Sequence, residues 1–421
     1  MTTPGAKPSP EPGWFYGWLI VAVSFLSITM AFGIRLSFTV FFVALIDDFG
    51  WSRADTALIF SANMLVFAAT STLAGMALDR WGVQRIFGLG AALLALGLAL
   101  SSRIQLFWQL LLAYGGVASL GITILGLGLQ ASVIARWFRK RRGLAIGIAF
   151  AGTGVGSLVI VPGVEALIST AGWRAAYLAL AGMSVATIPI IVLLMRSKPA
   201  DLQLHPDGQA RPRGQDEPQA GTQNWSFTNA RRTPAFWLLL LAGVLAIGPV
   251  RMLTVHQLAI MTAGGFPRAF AALVIGFSGA ITAIAFILSG ALSDRINRTW
   301  VYVLGSLSVV LAMLILQRIE SQEAQTYWAL LYALCLGLGE GSRSSLITAV
   351  ASDLFPGRAL GSINGAIGAS FGLGAAFFPW IAGWLYDLQL NYTSSFLIAG
   401  IAIVLSAGSL FLAARTKTVS C

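Results

Sequence analysis

The sequence predicts an all-α membrane protein, with twelve transmembrane helices in two pseudo-symmetric bundles of six. Three observations carry this. Of 421 residues, 57% are hydrophobic and only 10% charged, where a soluble chain would hold roughly 25% charged residues. The apolar residues gather into twelve stretches long enough to cross a bilayer. Features of the first six stretches recur in the last six at a nearly constant offset.

Residues 1–15 form a polar, proline-rich tail without the basic start and short apolar core of a signal peptide. Spans follow at about 17–46, 55–78, 83–102, 106–135, 142–170 and 173–195, the third being the shortest. The stretch 196–234 is rich in Pro, Gly, Gln, Asp and Arg and reads as a polar linker. Six more spans lie at about 235–263, 269–293, 299–318, 325–353, 359–387 and 391–414. The expected organisation is a tail 1–15, a bundle 16–195, a linker 196–234, a bundle 235–415 and a short tail 416–421.

The net charge of +11 would point to nucleic acid in a soluble protein. Here its placement points to membrane orientation instead. Of the 27 Lys and Arg, nineteen fall in segments on the side of the N-terminus and five (Arg53, Arg103, Arg174, Arg268, Arg318) on the other. Basic loops stay in the cytoplasm, so both termini and the linker are expected there, in a multi-pass protein of the inner or plasma membrane. Two cysteines and two histidines leave no disulfide framework and no metal site. No phosphate-binding loop appears, so no ATP-driven engine, cofactor or catalytic constellation is expected, and the chain does not read as an enzyme.

The densest signal is Arg136 to Gly156, RWFRKRRGLAIGIAFAGTGVG. Five basic residues hold one end of a helix at the cytoplasmic surface, and small residues every fourth position give it a flat face for close packing. Its opening Arg142 has a counterpart in Arg358, offset 216, and its late Pro162 one in Pro379, offset 217. After the second span comes GMALDRWGVQR, and after the eighth GALSDRINR, whose Asp79 and Asp294 are 215 apart. Such agreement indicates an internal duplication.

These residues carry a resemblance. The G-x-x-x-D-R-x-G-x-x-R loop is similar to the signature of the major facilitator superfamily. WFRKRRGLAIGIAFAGTGVG, PGWFYGW, RTPAFW, SFTVFF and PWIAGWLYD resemble the monocarboxylate transporter and oxalate:formate exchanger group. The resemblance spans roughly residues 14–415. It implies the major facilitator fold and small organic carboxylate substrates, moved with a proton or by exchange. It also implies a cytoplasmic gate, for which Asp79, Arg80, Arg85, Asp294 and Arg295 are the candidates, with Asn297 departing from the pattern at the second glycine. A second departure lies in the eighth span. Where the group usually has its carboxylate-binding arginine, preceded by an acid one turn earlier, this chain has Phe286 and Thr282.

Charge inside the membrane is costly, at least ~2.5–3.5 kcal/mol for a central arginine on insertion scales, and marks function. Arg35 and Arg251 are 216 apart, equivalent positions of the two halves. Glu340 and Arg343 are three apart on one helix face, a spacing that also allows a local ion pair. With Arg35, Arg251 and Arg343 as substrate ligands and Glu340 as proton carrier, the cavity would hold a net charge of two positives. Arg251, beside Gly248 and Pro249, is the expected replacement for the missing arginine, with Arg35 as second anchor. Tyr114 and Asn364 are candidate hydrogen-bonding ligands, each competing with a plain helix–helix contact, as do Asn63 and Gln130. His256 reads first as a packing histidine, with proton coupling the rival reading; Glu165 reads as interfacial. The expected function is secondary transport of a small organic anion, a monocarboxylate moved with a proton. Anion exchange is the alternative, and efflux of an uncharged amphiphile a more distant one. Partners would then be the carboxylate, a proton or exchanged anion, and the lipid bilayer, with no nucleic acid.

Overall fold

The computed structural model describes residues 15–138, 142–202, 204, 225–321, 325–355 and 360–416. Most of the linker, both terminal tails and part of the basic cluster lie outside these residues. The described regular structure is helical. Twelve helical stretches are long enough to span a membrane. We label them α1 (Gly17–Phe49), α2 (Arg53–Trp81), α3 (Val83–Ser101), α4 (Phe107–Trp137), α5 (142–171) and α6 (173–194). In the second half they are α7 (Pro234–Ala263), α8 (Arg268–Arg295), α9 (Arg298–Ser321), α10 (Thr326–Leu354), α11 (Leu360–Gln389) and α12 (Thr393–Arg415). Ten stretches among the described residues, one of them covering α5 and α6 together and none covering α10, are also apolar enough.

Local chemistry explains the boundaries. Ser52 caps α2 by accepting the amide of Asp55, and Thr233 caps α7 ahead of Pro234 at its first position. Gly172, with φ +82°, turns the chain between α5 and α6 where an L side chain would be strained. α1 breaks at Ser37, whose hydroxyl donates to the Ile34 carbonyl. α4 is π-helical over Leu111–Ala118 and interrupted again near Gly126. Pro249 and Pro379 sit inside α7 and α11 without ending them.

Each half packs its own six helices, and the halves meet along three seams: α2 on α11, α5 on α8, and the second part of α1 on α7. Small residues make two seams very close. A Cβ on Gly154 of α5 would stand 2.8 Å from the Gly279 carbonyl of α8. One on Gly383 of α11 would stand 2.7 Å from the Arg53 carbonyl of α2. In lipid, where apolar area gives no drive to associate, such backbone contact is the main packing term.

Apart from a bond near mid-depth, Ser157 of α5 to the Ile275 carbonyl of α8, the cross-half hydrogen bonds among the described residues lie toward the end opposite the termini. Both carboxylate oxygens of Asp387 accept backbone amides at the start of α2, from Arg53 at 3.0 Å and Ala54 at 2.9 Å. Arg53 donates to the Tyr392 hydroxyl at 2.6 Å and lies 3.9 Å from the Tyr386 ring centroid. Thr39 donates to the Val255 carbonyl, Ser61 to that of Ala376, and Arg268 pairs with Asp47. The molecule is therefore latched shut at this end. Burial pushes the Tyr392 phenol above its ordinary range, which keeps it a neutral donor there.

Candidate functional site

Between the halves lies a cavity of about 200 Å³ lined by eight helices. α1 contributes Phe32, Arg35 and Leu36; α2, Met64 and Phe67; α4 and α5, Leu127 and Thr153. From the other half come Ile247 and Arg251 of α7, Gly279, Thr282 and Phe286 of α8, Glu340 and Ser344 of α10, and Phe371, Gly372 and Ala375 of α11. The wall is mostly apolar, with three charges.

Those charges are not equivalent. Arg251 donates through Nη2 to Glu340 Oε1 at 2.6 Å, a pair joining α7 to α10. Arg35, two residues before the break in α1, is only 8% exposed. Its Nε and Nη2 are buried with no hydrogen-bond partner among the described residues. Its guanidinium instead lies 5.4 Å from the Phe32 ring centroid and 5.1 Å from that of Phe67. Cation–π attraction offsets part of the cost of burial there, but leaves the donors unmet. Two arginines and one glutamate leave the cavity one net positive charge, not two.

The difference is Arg343. It is fully buried and turned away from the cavity into the C-terminal half. Nε donates to the Ala246 carbonyl at 3.0 Å, Nη1 to Ser306 at 3.1 Å and Nη2 to the Tyr302 hydroxyl at 3.2 Å. Tyr302 in turn bonds Ser406, so this arginine ties α7, α9, α10 and α12 together. Glu340 pairs with Arg251 across the bundle and not with Arg343 along its own helix. A step of three residues turns a side chain by about 60° on balance, enough to send these two to different neighbours.

The other candidates are spread through the fold. Tyr114 is buried in the π-helical part of α4, stacked on Phe38, with its hydroxyl 3.4 Å from the Ile34 carbonyl. It stands behind the Arg35 backbone and outside the cavity lining. Asn364 of α11 also lies outside that lining, with a buried side-chain oxygen that has no partner among the described residues. Asn63 donates to the Tyr114 carbonyl, and Gln130 is buried with both polar atoms unmet. His256 is fixed in the latch: Nε2 donates to the Pro379 carbonyl at 2.9 Å, so Nδ1 of the neutral ring accepts from Tyr392, also at 2.9 Å. Glu165, expected at the interface, is buried. Of the expected gate residues, Arg80 and Arg85 are exposed, and the side chains of Asp79, Asp294 and Arg295 lie outside the described residues. Among the described residues no cluster of three His, Cys, Asp or Glu could hold a metal ion.

Sequence reasoning missed the latch and the rings. Asp387 was visible in PWIAGWLYD but only as part of a motif. Phe32, Phe67 and Phe371 gave no signal, because a phenylalanine in a membrane span reads first as a lipid contact. Phe286 did give one, as the residue standing where a charge was expected.

The profile of the Major Facilitator Superfamily matches residues 18–316 and 252–420. Similar curated proteins include monocarboxylate transporter 11 of Homo sapiens, 28% identical, with the alignment covering all of this chain and 87% of that one. Monocarboxylate transporter 12 of Rattus norvegicus is 26% identical over 97% of this chain and 87% of its own. Among solved structures, a bacterial homologue of the human lysosomal transporter Spinster, inward-facing and occupied, superposes with a TM-score of 0.72 at 17% identity, covering 97% of this chain and all of that one. A point mutant of the nucleoside transporter NupG also gives 0.72, at 11% identity, covering 96% of this chain and all of that one. These relatives are transporters, not enzymes.

Proposed function

The chain belongs to the major facilitator superfamily, and from that premise we propose that it carries a small organic monocarboxylate together with a proton by alternating access. The observation that carries the reading is Arg35: a permanently charged guanidinium, buried on the central cavity, with donors left unmet. Leaving such a group without an acceptor costs free energy that a carboxylate would recover. A cavity with one net positive charge is neutralised by one carboxylate, which favours a monoanion over a dianion. The kinship with monocarboxylate transporters supports the same substrate class.

Glu340 supplies the coupling. When ionised it occupies Arg251. When protonated it would free Arg251 to share the substrate with Arg35, so proton and anion would bind together and leave together. The paired state described above is then the state after release. With both termini in the cytoplasm, the latched end is the outer one and the molecule faces inward. Exchange is the second reading, since an empty cavity that keeps the Arg35 charge would reorient slowly without an anion.

Counterflow of labelled monocarboxylates in proteoliposomes tests the proposal. Arg35→Gln should weaken substrate affinity about tenfold or more, the worth of a charged hydrogen bond. A folded Arg35→Gln protein that binds substrate as the parent does would remove the reading.

A further inference from the structure

We propose that the carried acid has an aromatic or comparably bulky apolar body, and that short polar acids are poor substrates. This rests on the monocarboxylate reading above and adds what the rest of the cavity selects. Four phenylalanines line it, each from a different helix: Phe32 and Phe67 from the N-terminal half, Phe286 and Phe371 from the C-terminal half. The anchor fixes where the body must go. A carboxylate on Arg35 sits beside Phe32 and Phe67, because the guanidinium itself lies within 5.4 Å of both ring centroids. The next atoms of the substrate therefore enter an aromatic wall.

Beyond the Ser344 hydroxyl, the polar lining offers little to a hydroxy or keto group. The hydroxyls of Thr153 and Thr282 donate back to the carbonyls of Phe150 and Ser278 in their own helices. Arg251 is held by Glu340 while that acid is ionised, and once freed it is taken by the carboxylate it shares with Arg35. A keto oxygen placed away from Ser344 would lose its water without gaining a committed donor. The volume, about 200 Å³, falls below the roughly 300–1,000 Å³ of clefts for drug-sized ligands, so one ring or one branched chain is the fitting size.

Size also bears on the cycle. A two-carbon acid on Arg35 reaches only the half that bears the arginine. A ring attached to the carboxylate reaches Phe286 and Phe371 as well, so its burial draws the two halves together. Binding energy realised only on closure is what converts occupancy into movement.

The test is competition in counterflow by purified, reconstituted protein. Phenylacetate, acetate, lactate and phenylacetamide are added in turn against labelled phenylacetate. We expect phenylacetate to bind about tenfold or more tightly than acetate and lactate, the scale set by filling an apolar pocket. Phe286→Ala, with folding checked by thermal melting, should weaken phenylacetate several-fold and by more than it weakens acetate, and an equal loss for both acids would overturn the aromatic-body inference. Acetate or lactate competing as well as phenylacetate would overturn the aromatic-body inference while the carboxylate reading stood. Phenylacetamide competing as well as phenylacetate would instead overturn the carboxylate reading, and the inference resting on it.

Discussion

Asp387→Asn should tilt the molecule toward opening at its latched end. In the closed state the two carboxylate oxygens accept separate amides at the start of α2, at 3.0 and 2.9 Å. They also place a negative charge at that helix N-terminus, worth about 0.3–1 kcal/mol at an exposed site. Asparagine keeps one acceptor, presents an amide to the other N–H and loses the charge. Hydrogen bonds to a charged group contribute about 1.5–3 kcal/mol when protected, but Asp387 is exposed, and exposed charge pairs yield only about 0–1 kcal/mol. A net loss of about 1–2 kcal/mol follows, a roughly 5–30-fold change in the ratio of closed to open molecules. The shift is readable as a spin-label distance between Ser169→Cys in the N-terminal half and Gln325→Cys in the other, in a background lacking Cys335 and Cys421. The long-distance population should grow in Asp387→Asn. A folded variant with an unchanged distance distribution would refute the assignment of Asp387 as a latch.

Glu340→Gln should abolish uptake driven by a pH gradient while preserving exchange of labelled for unlabelled substrate; gradient-driven uptake at the parental rate would move the proton elsewhere and favour exchange. Arg343→Met should lower the melting temperature strongly, by an amount equivalent to about 2–4 kcal/mol, since it leaves Ser306, Tyr302 and the Ala246 carbonyl without their partner. Substrate affinity per folded molecule should hardly change, and a selective loss of affinity would restore Arg343 to the site. The segment joining α6 to α7, most of which lies outside the described residues, should be cut by protease from the cytoplasmic face only, leaving two associated halves. Cleavage only from the outer face would reverse the orientation.

The spans and the duplication were legible because lipid imposes a length on every helix and duplication preserves spacing. Arg35 and Arg251 show this well: equal depth in equivalent helices followed from an offset of 216, and both line the same cavity. What each arginine touches was not legible. Glu340 had two candidate partners, one on its own helix and one far away in sequence, and only the packing of α7 beside α10 decides between them. Arg343 looked functional because a buried charge is costly, yet three neutral acceptors from neighbouring helices satisfy it. His256 reads from sequence as a packing histidine, but the chain of bonds through Tyr392 to Arg53 depends on α12 and α2 meeting, which no local pattern encodes.

The two glycine seams have a mechanical consequence. α5 against α8 and α2 against α11 are equivalent under the duplication, so they stand on opposite sides of the central cavity. At Gly154 and Gly383 backbone lies close to backbone, and the side chains beside Gly154 and Gly279 are small, Ala283 and Ser157. Such surfaces have little to unmesh beyond one hydroxyl bond each, Ser157 to Ile275 and Ser61 to Ala376, and two of them define an axle. A load carried on the axle barely moves while the two rims of the wheel exchange places. On the transport cycle proposed above, Arg35 and an anion held on it would therefore stay nearly still as the open side changes. A single methyl added at Gly383 or Gly154 would act as a chock under one bearing, stopping rotation without touching the cargo.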